Sequence, residues 1–365
     1  MQVLNRSYRT AAVAAEEPAL RLLRRLSTIA AAVICAFCAL SYYESRHLGL
    51  FPLGEVAPVF DAYHLARSAA ALSVSLLIAW TIYGARAADG ALMRRDIPAA
   101  GSAAALAVLA LALGFTSILL LEPRAFAAGA REDSAVEWAS ALLVLAGSGL
   151  FLFAWRNAAG PRLATILPLA FAFVFFLVGM EEISWLQRVI GFETPAEIAQ
   201  ANMQREFNLH NVHTDLAENL YYVGGAGFLI VLPFLRDALP ARALPAWLDA
   251  YVPGRWVAAA SAPLSIFNYG MWNVIPMQVT MMLTVVIAAF YGRAALLRGS
   301  RAEAALFGAM AFAVTAGQAV FLARAQVLPN LWDPSEYKEL FIAIGLAAYA
   351  ADVALRSRRR GAAPV

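Results

Sequence analysis

Ten apolar stretches run through this chain, each close to the length that crosses a hydrocarbon layer and each joined to the next by a connection that holds most of the charge. A helix needs about 20 such residues to span a bilayer. The stretches fall at 28–43, 66–84, 98–121, 135–155, 163–180, 219–235, 256–272, 275–292, 303–323 and 337–355. Only 15% of the 365 residues are charged and 61% are hydrophobic, against about 25% and 45–50% for a soluble globular domain. The expected fold class is all-α, a polytopic transmembrane helical bundle of about ten spans. No connection is large enough to bury a core of its own. Residues 28–355 are therefore read as one membrane domain between a basic segment, 1–27, and a basic tail, 356–365.

Charge orients the bundle. If residue 1 starts on the cytoplasmic side, the cytoplasmic segments hold 20 of the 28 Lys and Arg, and 17 of the 25 acids lie on the other side. The excess of Lys and Arg on one side is the signal that sets orientation, so both termini are expected in the cytoplasm and the membrane is expected to be a bacterial inner membrane. The basic segment 1–27 before the first apolar run imitates a secretory signal. The nine further spans favour an uncleaved first helix instead. Cys35 and Cys38 form a lone C-x-x-C inside span 1. It lacks a second ligand pair for zinc and the following His of a haem attachment site, so both are expected to pack as buried small hydrophobes. Nucleic acid is not an expected partner, whereas membrane lipids are.

The outer connections 44–65, 122–134, 181–218 and 324–336 carry the chemistry. Pro123 opens a short interfacial stretch in the second of these. The third holds Gly179-Met-Glu-Glu-Ile-Ser-Trp-Leu-Gln-Arg188 and Glu206-Phe-Asn-Leu-His-Asn-Val-His213. Acids at membrane depth are costly and are read as functional. The fifth span is expected to run on through Gln187 and Arg188 to Gly191, with Thr194 capping a short helix begun by Pro195. On a helix over 203–218, Glu206, His210 and His213 would share one face at i, i+4 and i+7. With Glu182 or Glu181 from across the bundle, that stripe would suit a divalent metal such as zinc. The alternative reading is that His210 and Asn211 cap helices while His213 is solvated.

Glu181 and Glu182 diverge by about 100° on a helix, so one would face the bundle while the other pairs with Arg188 or reaches the interface. A desolvated carboxyl there suits general acid or base work, or proton carriage. Ser184 with His210 as base is a further candidate, although no Gly-x-Ser-x-Gly turn surrounds it. Trp185 is expected as an interfacial anchor. Asp133 and Glu336 fit as helix-start charges, while Glu137 and Glu339 lie a turn deeper and fit an inward-facing polar site. Asp215 and Glu218 would contribute only from adjacent faces. Pro263, Asn268, Tyr269, Gly270, Asn273, Pro276 and Gln278 interrupt spans 7 and 8. Such breaks line cavities or substrate paths, or else form a tight hairpin turning at Trp272-Asn273.

The set Glu132-Asp133-Ser134-Ala-Val-Glu137-Trp138, Glu181-Glu182-Ile-Ser184-Trp185-x-Gln187-Arg188, Gly191-Phe-Glu193-Thr194-Pro195 and Asn202-x-Gln204-x-Glu206-x-Asn208-Leu-His210-Asn211 resembles a family of uncharacterised bacterial multi-pass membrane proteins. The resemblance covers about residues 130–220, with Glu336-x-x-Glu339 as a matching later element. It implies no activity. The family pattern has Gly at the position of Leu186, a small residue at that of Arg205 and no counterpart of His213. A metal common to the family would thus rest on His210 with Glu181, Glu182 and Glu206. A looser likeness links the chain to membrane metal hydrolases of the alkaline ceramidase type, but two of its four His, His47 and His64, lie in the first outer connection.

The residues therefore point first to an enzyme acting on a lipid or lipid-linked glycan at the periplasmic face. Glu137, Glu181, Glu182, Gln187, Arg188, Glu206, His210, Asn211 and Glu339 would converge there as acid, base or metal ligands. A proton-coupled transporter or lipid flippase is the competing class. An assembly or scaffold protein is the third.

Overall fold

The computed structural model describes residues 2–85, 96–131, 133–158, 160–202, 205–240, 243–330 and 334–361, with side chains described for all of these except 2–18, 210 and 359–361. Among them every regular element is helical. Nine helices are long and apolar enough to cross a membrane, which makes this a multi-pass membrane protein in architecture. In chain order the elements are α1 (Gln2–Tyr43, extended by a π-turn Glu44–Leu48), α2 (Ala62–Gly84), α3 (Ala99–Leu121), α4 (Pro123–Gly129), α5 (Ala135–Arg156) and α6 (Arg162–Glu182). The motif connection holds α7 (Gln187–Ile190) and α8 (Ala196–Ala201). There follow α9 (Thr214–Ala226), joined by a π-turn to α10 (Leu232–Ala238) as one bent span, then α11 (Ala246–Asp249), α12 (Arg255–Ser261), α13 (Ile275–Leu297), α14 (Arg301–Arg324) and α15 (Ser335–Gly361).

The surface is apolar where the interior is small. Leu72, Leu76, Trp80, Leu106, Phe173 and Phe312 point outward, while Ala79, Ala105, Ala112, Ala172 and Ala313 are buried between helices. Without water to drive association, small residues let membrane helices approach and pack. α1 stands apart, with none of its apolar window buried. Cys35 and Cys38, expected inside, are free and exposed on it. They lie on a helix that, among the described elements, packs mainly along α2.

The seventh expected span is not a regular helix. α12 passes into a 3-10 turn (Ala262–Ser265), and residues 266–274 follow an irregular path, nearly all of it buried. Pro263 removes a backbone donor, and Asn268 turns its amide onto Ser265 O at 3.0 Å, competing with helix continuation. The segment nevertheless runs from one end of the bundle to the other. Gly254 N donates to Asp352 Oδ2 near the end of α15 at 2.9 Å. At the opposite end Gly270 O accepts from Val56 N at 2.8 Å and Asn273 O accepts from Arg67 at the start of α2, also at 2.8 Å. Glycines make room for it. A Cβ on Gly101 would lie 2.9 Å from Trp256 Cγ, and one on Gly317 would lie 2.9 Å from Ile266 Cδ1.

The motif end thus gathers the starts of α2, α5, α9, α13 and α15 with the ends of α3, α6 and α14. The tail end is tied by other polar pairs, including Arg236–Asp249, Arg255–Glu303 at 3.1 Å and Arg356–Asp352 at 2.6 Å.

Candidate functional site

The motif connection folds back on itself through its own polar side chains. α6 stops at Glu182, five residues earlier than Gln187 and well short of Gly191. Ser184, Trp185 and Leu186 then take the left-handed conformation in succession, with φ of 45°, 56° and 61°. For an L-residue this costs roughly 1–2 kcal/mol per residue, so the surroundings must impose it. Two clamps do so. Glu181 accepts from Trp185 Nε1 and from Leu209 N, both at 2.7 Å, bending the turn back toward the far strand of the connection. Ser184, buried, donates to Glu206 Oε2 at 2.6 Å. Asp133 and Arg205 are the other non-glycine residues with positive φ among those described.

Glu206 is the node. Besides Ser184 it accepts from Asn208 Nδ2 at 3.1 Å and from Arg188 Nη2. Arg188 reaches across to Asp133 on the α4–α5 connection. Asn208 also donates to Ser184 Oγ at 3.0 Å, and Asn202 Nδ2 donates to Asn208 Oδ1 at 2.7 Å. Gln187 joins two more parts of the connection. Its Nε2 donates to Thr194 Oγ1 at 2.6 Å and its Oε1 accepts from Phe207 N at 2.7 Å.

These bonds correct several expectations. Arg188 pairs with Asp133 and Glu206, not with Glu181 or Glu182. Thr194 donates to Arg205 O at 2.8 Å, and α8 starts one residue later than Pro195. The helix over 203–218 is not formed. Residues 205–209 are irregular, His210–Val212 is a 3-10 turn and α9 begins at Thr214. Local bonds from the Asn202 side chain, donating to Asn208 O and accepting from Glu206 N, displace it. Glu206, His210 and His213 therefore do not share a helical face. Among the described residues no group of three or more His, Cys, Asp and Glu is placed to hold a metal ion. Glu132, Gln204, Asp333 and the side chain of His210 lie outside the described residues. His213 is exposed and Asn211 is buried, its carbonyl accepting from Thr214 Oγ1 at 3.3 Å.

Asp133, Glu137, Trp138, Ile183, Ser184, Leu186, Arg188, Val189 and Glu206 line a small open cleft with about 10 Å³ of room for the centre of a water-sized sphere. Glu137 accepts from Asp133 N at its rim. Three of the five left-handed residues line this cleft. Its floor holds a serine hydroxyl against a carboxylate, and its wall offers a half-exposed guanidinium. Val189, which lines the cleft, is exposed, as are its neighbour Ile190, Leu209 on the motif connection, and Leu216 and Leu220 on α9.

A second polar group lies deeper, and the sequence reading did not assemble it. Lys338, only 1% exposed, donates to Asn268 Oδ1 and sits 4.6 Å from the centre of the Tyr222 ring and 3.6 Å from Met277 Sδ. Tyr222 OH donates to Glu339 Oε1 at 2.7 Å. Glu55, Glu218 and Glu339 are all within electrostatic range of Lys338. Glu55 reaches in from the connection before α2. Its burial, with Asp215 nearby, pushes its carboxyl up to about 7 despite the opposing pull of Lys338. Glu182 lies within range of both Glu339 and Glu137, between this group and the cleft. Asp215 is exposed in the first turn of α9 and Glu336 stands in the first turn of α15. The signal for this group was a lysine inside an apolar run, set in a row of acids that capping seemed to explain.

No family model matches the chain, and no curated protein or solved structure matches it.

Proposed function

We propose that the chain is a membrane enzyme acting on a lipid or lipid-linked glycan, with the cleft between the α4–α5 connection and the motif connection as its reaction site. The observation that carries this is the left-handed run Ser184–Leu186 facing Asp133 across the cleft. Strain of that kind persists only where the surroundings over-determine it, and it gathers at functional sites. Two carboxylates, Glu137 and Glu206, face the cleft and would hold or move a proton at a substrate oxygen. Arg188, half exposed between two acids, would exchange one of them for an anionic group such as a phosphate. The exposed apolar side chains of Val189 at the cleft, of Ile190 and of Leu209 suit an acyl or prenyl chain lying along the membrane surface.

The same reading takes residues 255–274 as a tenth crossing, which puts both termini on one side. The basic connections make that side the cytoplasm. The cleft then opens to the periplasm of a bacterial inner membrane. In the test, lipid and lipid-linked glycan pools are compared by mass spectrometry in cells with the wild-type chain, without it, and with Glu206→Gln. A species that accumulates without the chain and with Glu206→Gln, and that purified wild-type protein converts in vesicles, supports the reading. Identical pools in all three would overturn it.

Proton-coupled transport is the second reading, favoured by the irregular, buried backbone of residues 266–274 beside Lys338. Non-helical backbone at membrane depth is tolerated where it is buried in protein or lines a cavity. Under this reading solute flux, not lipid turnover, would depend on the interior acids.

A further inference from the structure

The interior group around Lys338 has an imbalance of charge that its own residues do not resolve. Three carboxyls act on it from three elements: Glu55 on the connection before α2, Glu218 on α9 and Glu339 on α15. Among the described residues Lys338 is the one cation in range of Glu55 and Glu218, and its direct contacts are neutral: an amide oxygen, a thioether and an aromatic ring. Unpaired charges in a low-dielectric interior are strongly disfavoured. One ammonium cannot neutralise both Glu55 and Glu218.

An independent observation points the same way. Asn219 is 5% exposed, and its Nδ2 is tied to Leu53 O at 3.4 Å and to Asp215 O at 2.7 Å, which fixes the amide between α9 and the connection carrying Glu55. Among the described residues its buried Oδ1 has no hydrogen-bond partner. A buried acceptor calls for a donor; Asn219 follows Glu218 in α9 and is bonded to the chain two residues before Glu55, and a carboxyl that holds a proton is such a donor. A metal ion fits less well, because among the described residues no three acidic or His side chains converge to hold one.

We propose that Glu55, Glu218 and Glu339, with Lys338 and Asn219, form a proton-binding site that takes up protons from the motif end of the bundle through Glu55. The site stands whether the cleft is catalytic or the chain transports. Glu55 lies at its mouth, on a connection pinned to the irregular segment by the Val56–Gly270 bond. Asp215 and Glu339 oppose its ionisation and Lys338 favours it, so its charge changes near neutral pH. Tyr222 holds Glu339 from α9 and Glu182 faces it from α6.

The test is infrared difference spectroscopy on the full chain in lipid nanodiscs, with pH stepped from about 5 to about 9 across the range where Glu55 is expected to titrate. The expected result is a carbonyl stretch of protonated carboxyl groups at neutral pH. Glu55→Gln should remove the part that titrates near neutrality, and Glu218→Gln and Glu339→Gln should each lower the remaining intensity. Lys338→Met should add intensity at the alkaline end, because a lost cation leaves one more acid to be neutralised. The wild-type measurement needs no variant to fold. No protonated-carboxyl signal at neutral pH, or a signal unchanged in all three Gln variants, overturns the proposal.

Discussion

Replacing Glu206 by alanine should release the motif connection without unfolding the bundle. Glu206 accepts from Ser184, Asn208 and Arg188, three donors on two strands of the connection. The Ser184 bond is buried and charge-assisted, contributing about 1.5–2 kcal/mol, and the Asn208 bond adds about 1 kcal/mol. The Arg188 pair is discounted to about 0.5 kcal/mol, since that side chain is 48% exposed and screened. The loss is then about 3 kcal/mol in local opening free energy, or roughly a hundredfold faster amide exchange. Hydrogen-exchange mass spectrometry on peptides covering 199–211 would read it, with peptides from α13 and α14 as unmoved references. Glu206→Gln keeps the acceptor oxygen for Ser184 and should lose only about 1 kcal/mol of charge assistance. Ser184→Ala should add little to Glu206→Ala, because both remove the same bond. Exchange in 199–211 that rises less than about threefold in Glu206→Ala, half a kcal/mol, would refute the node.

Leu186→Gly should stabilise the connection by about 0.5 kcal/mol, relief of left-handed strain exceeding the entropy that glycine brings to the unfolded chain; Leu186→Val should do the reverse, and thermal unfolding checks both. Glu55 should make stability fall as pH rises, because its folded value near 7 exceeds the ordinary 4.5 and the folded chain binds more protons in between. That loss is at most about 3 kcal/mol between pH 4.5 and 7, and Glu55→Gln should flatten it; unfolding midpoints at the two ends of the window that shift equally in both proteins would sink the account. Glu181→Gln turns one acceptor for Trp185 or Leu209 into a donor, and local protection at Leu209 should fall by about 1–3 kcal/mol. Gly101→Ala drives a Cβ toward Trp256 and should cost about 1–3 kcal/mol, whereas Gly114→Ala, which meets nothing, should be neutral or better in the same melting assay.

The spans were legible because burial in lipid demands one property over many consecutive residues. Nine long helices lie where the apolar runs are, and α4 starts at Pro123 as its sequence requires. The motif connection was legible as a place and not as a shape. The spacing of Glu206, His210 and His213 matches a helix, yet the Asn202 amide offers the backbone of Glu206 and Asn208 a nearer partner, and periodicity does not register that competition. The residue types of Ser184 and Trp185 do not mark them for the left-handed region; the bonds that hold them there run from Trp185 to Glu181, four residues back, and from Ser184 to Glu206, more than twenty residues away.

The two places where this chain departs from regular structure meet at one end of the bundle. The left-handed turn ends α6 just after Glu182, and the irregular segment 266–274 delivers Asn268 to Lys338. Glu182 feels Glu339 on one side and Glu137 on the other, so the interior group and the cleft are electrostatically joined through two helix ends. A change of charge at Glu339 must then alter Glu182, and through it Glu137 at the cleft rim, since interaction between ionisable groups is mutual. Local rules are broken where a function requires it and obeyed elsewhere. Here both breaks serve to bring acids from α5, α6, α9 and α15 within reach of one another, an arrangement that straight helices with ordinary caps would hold apart.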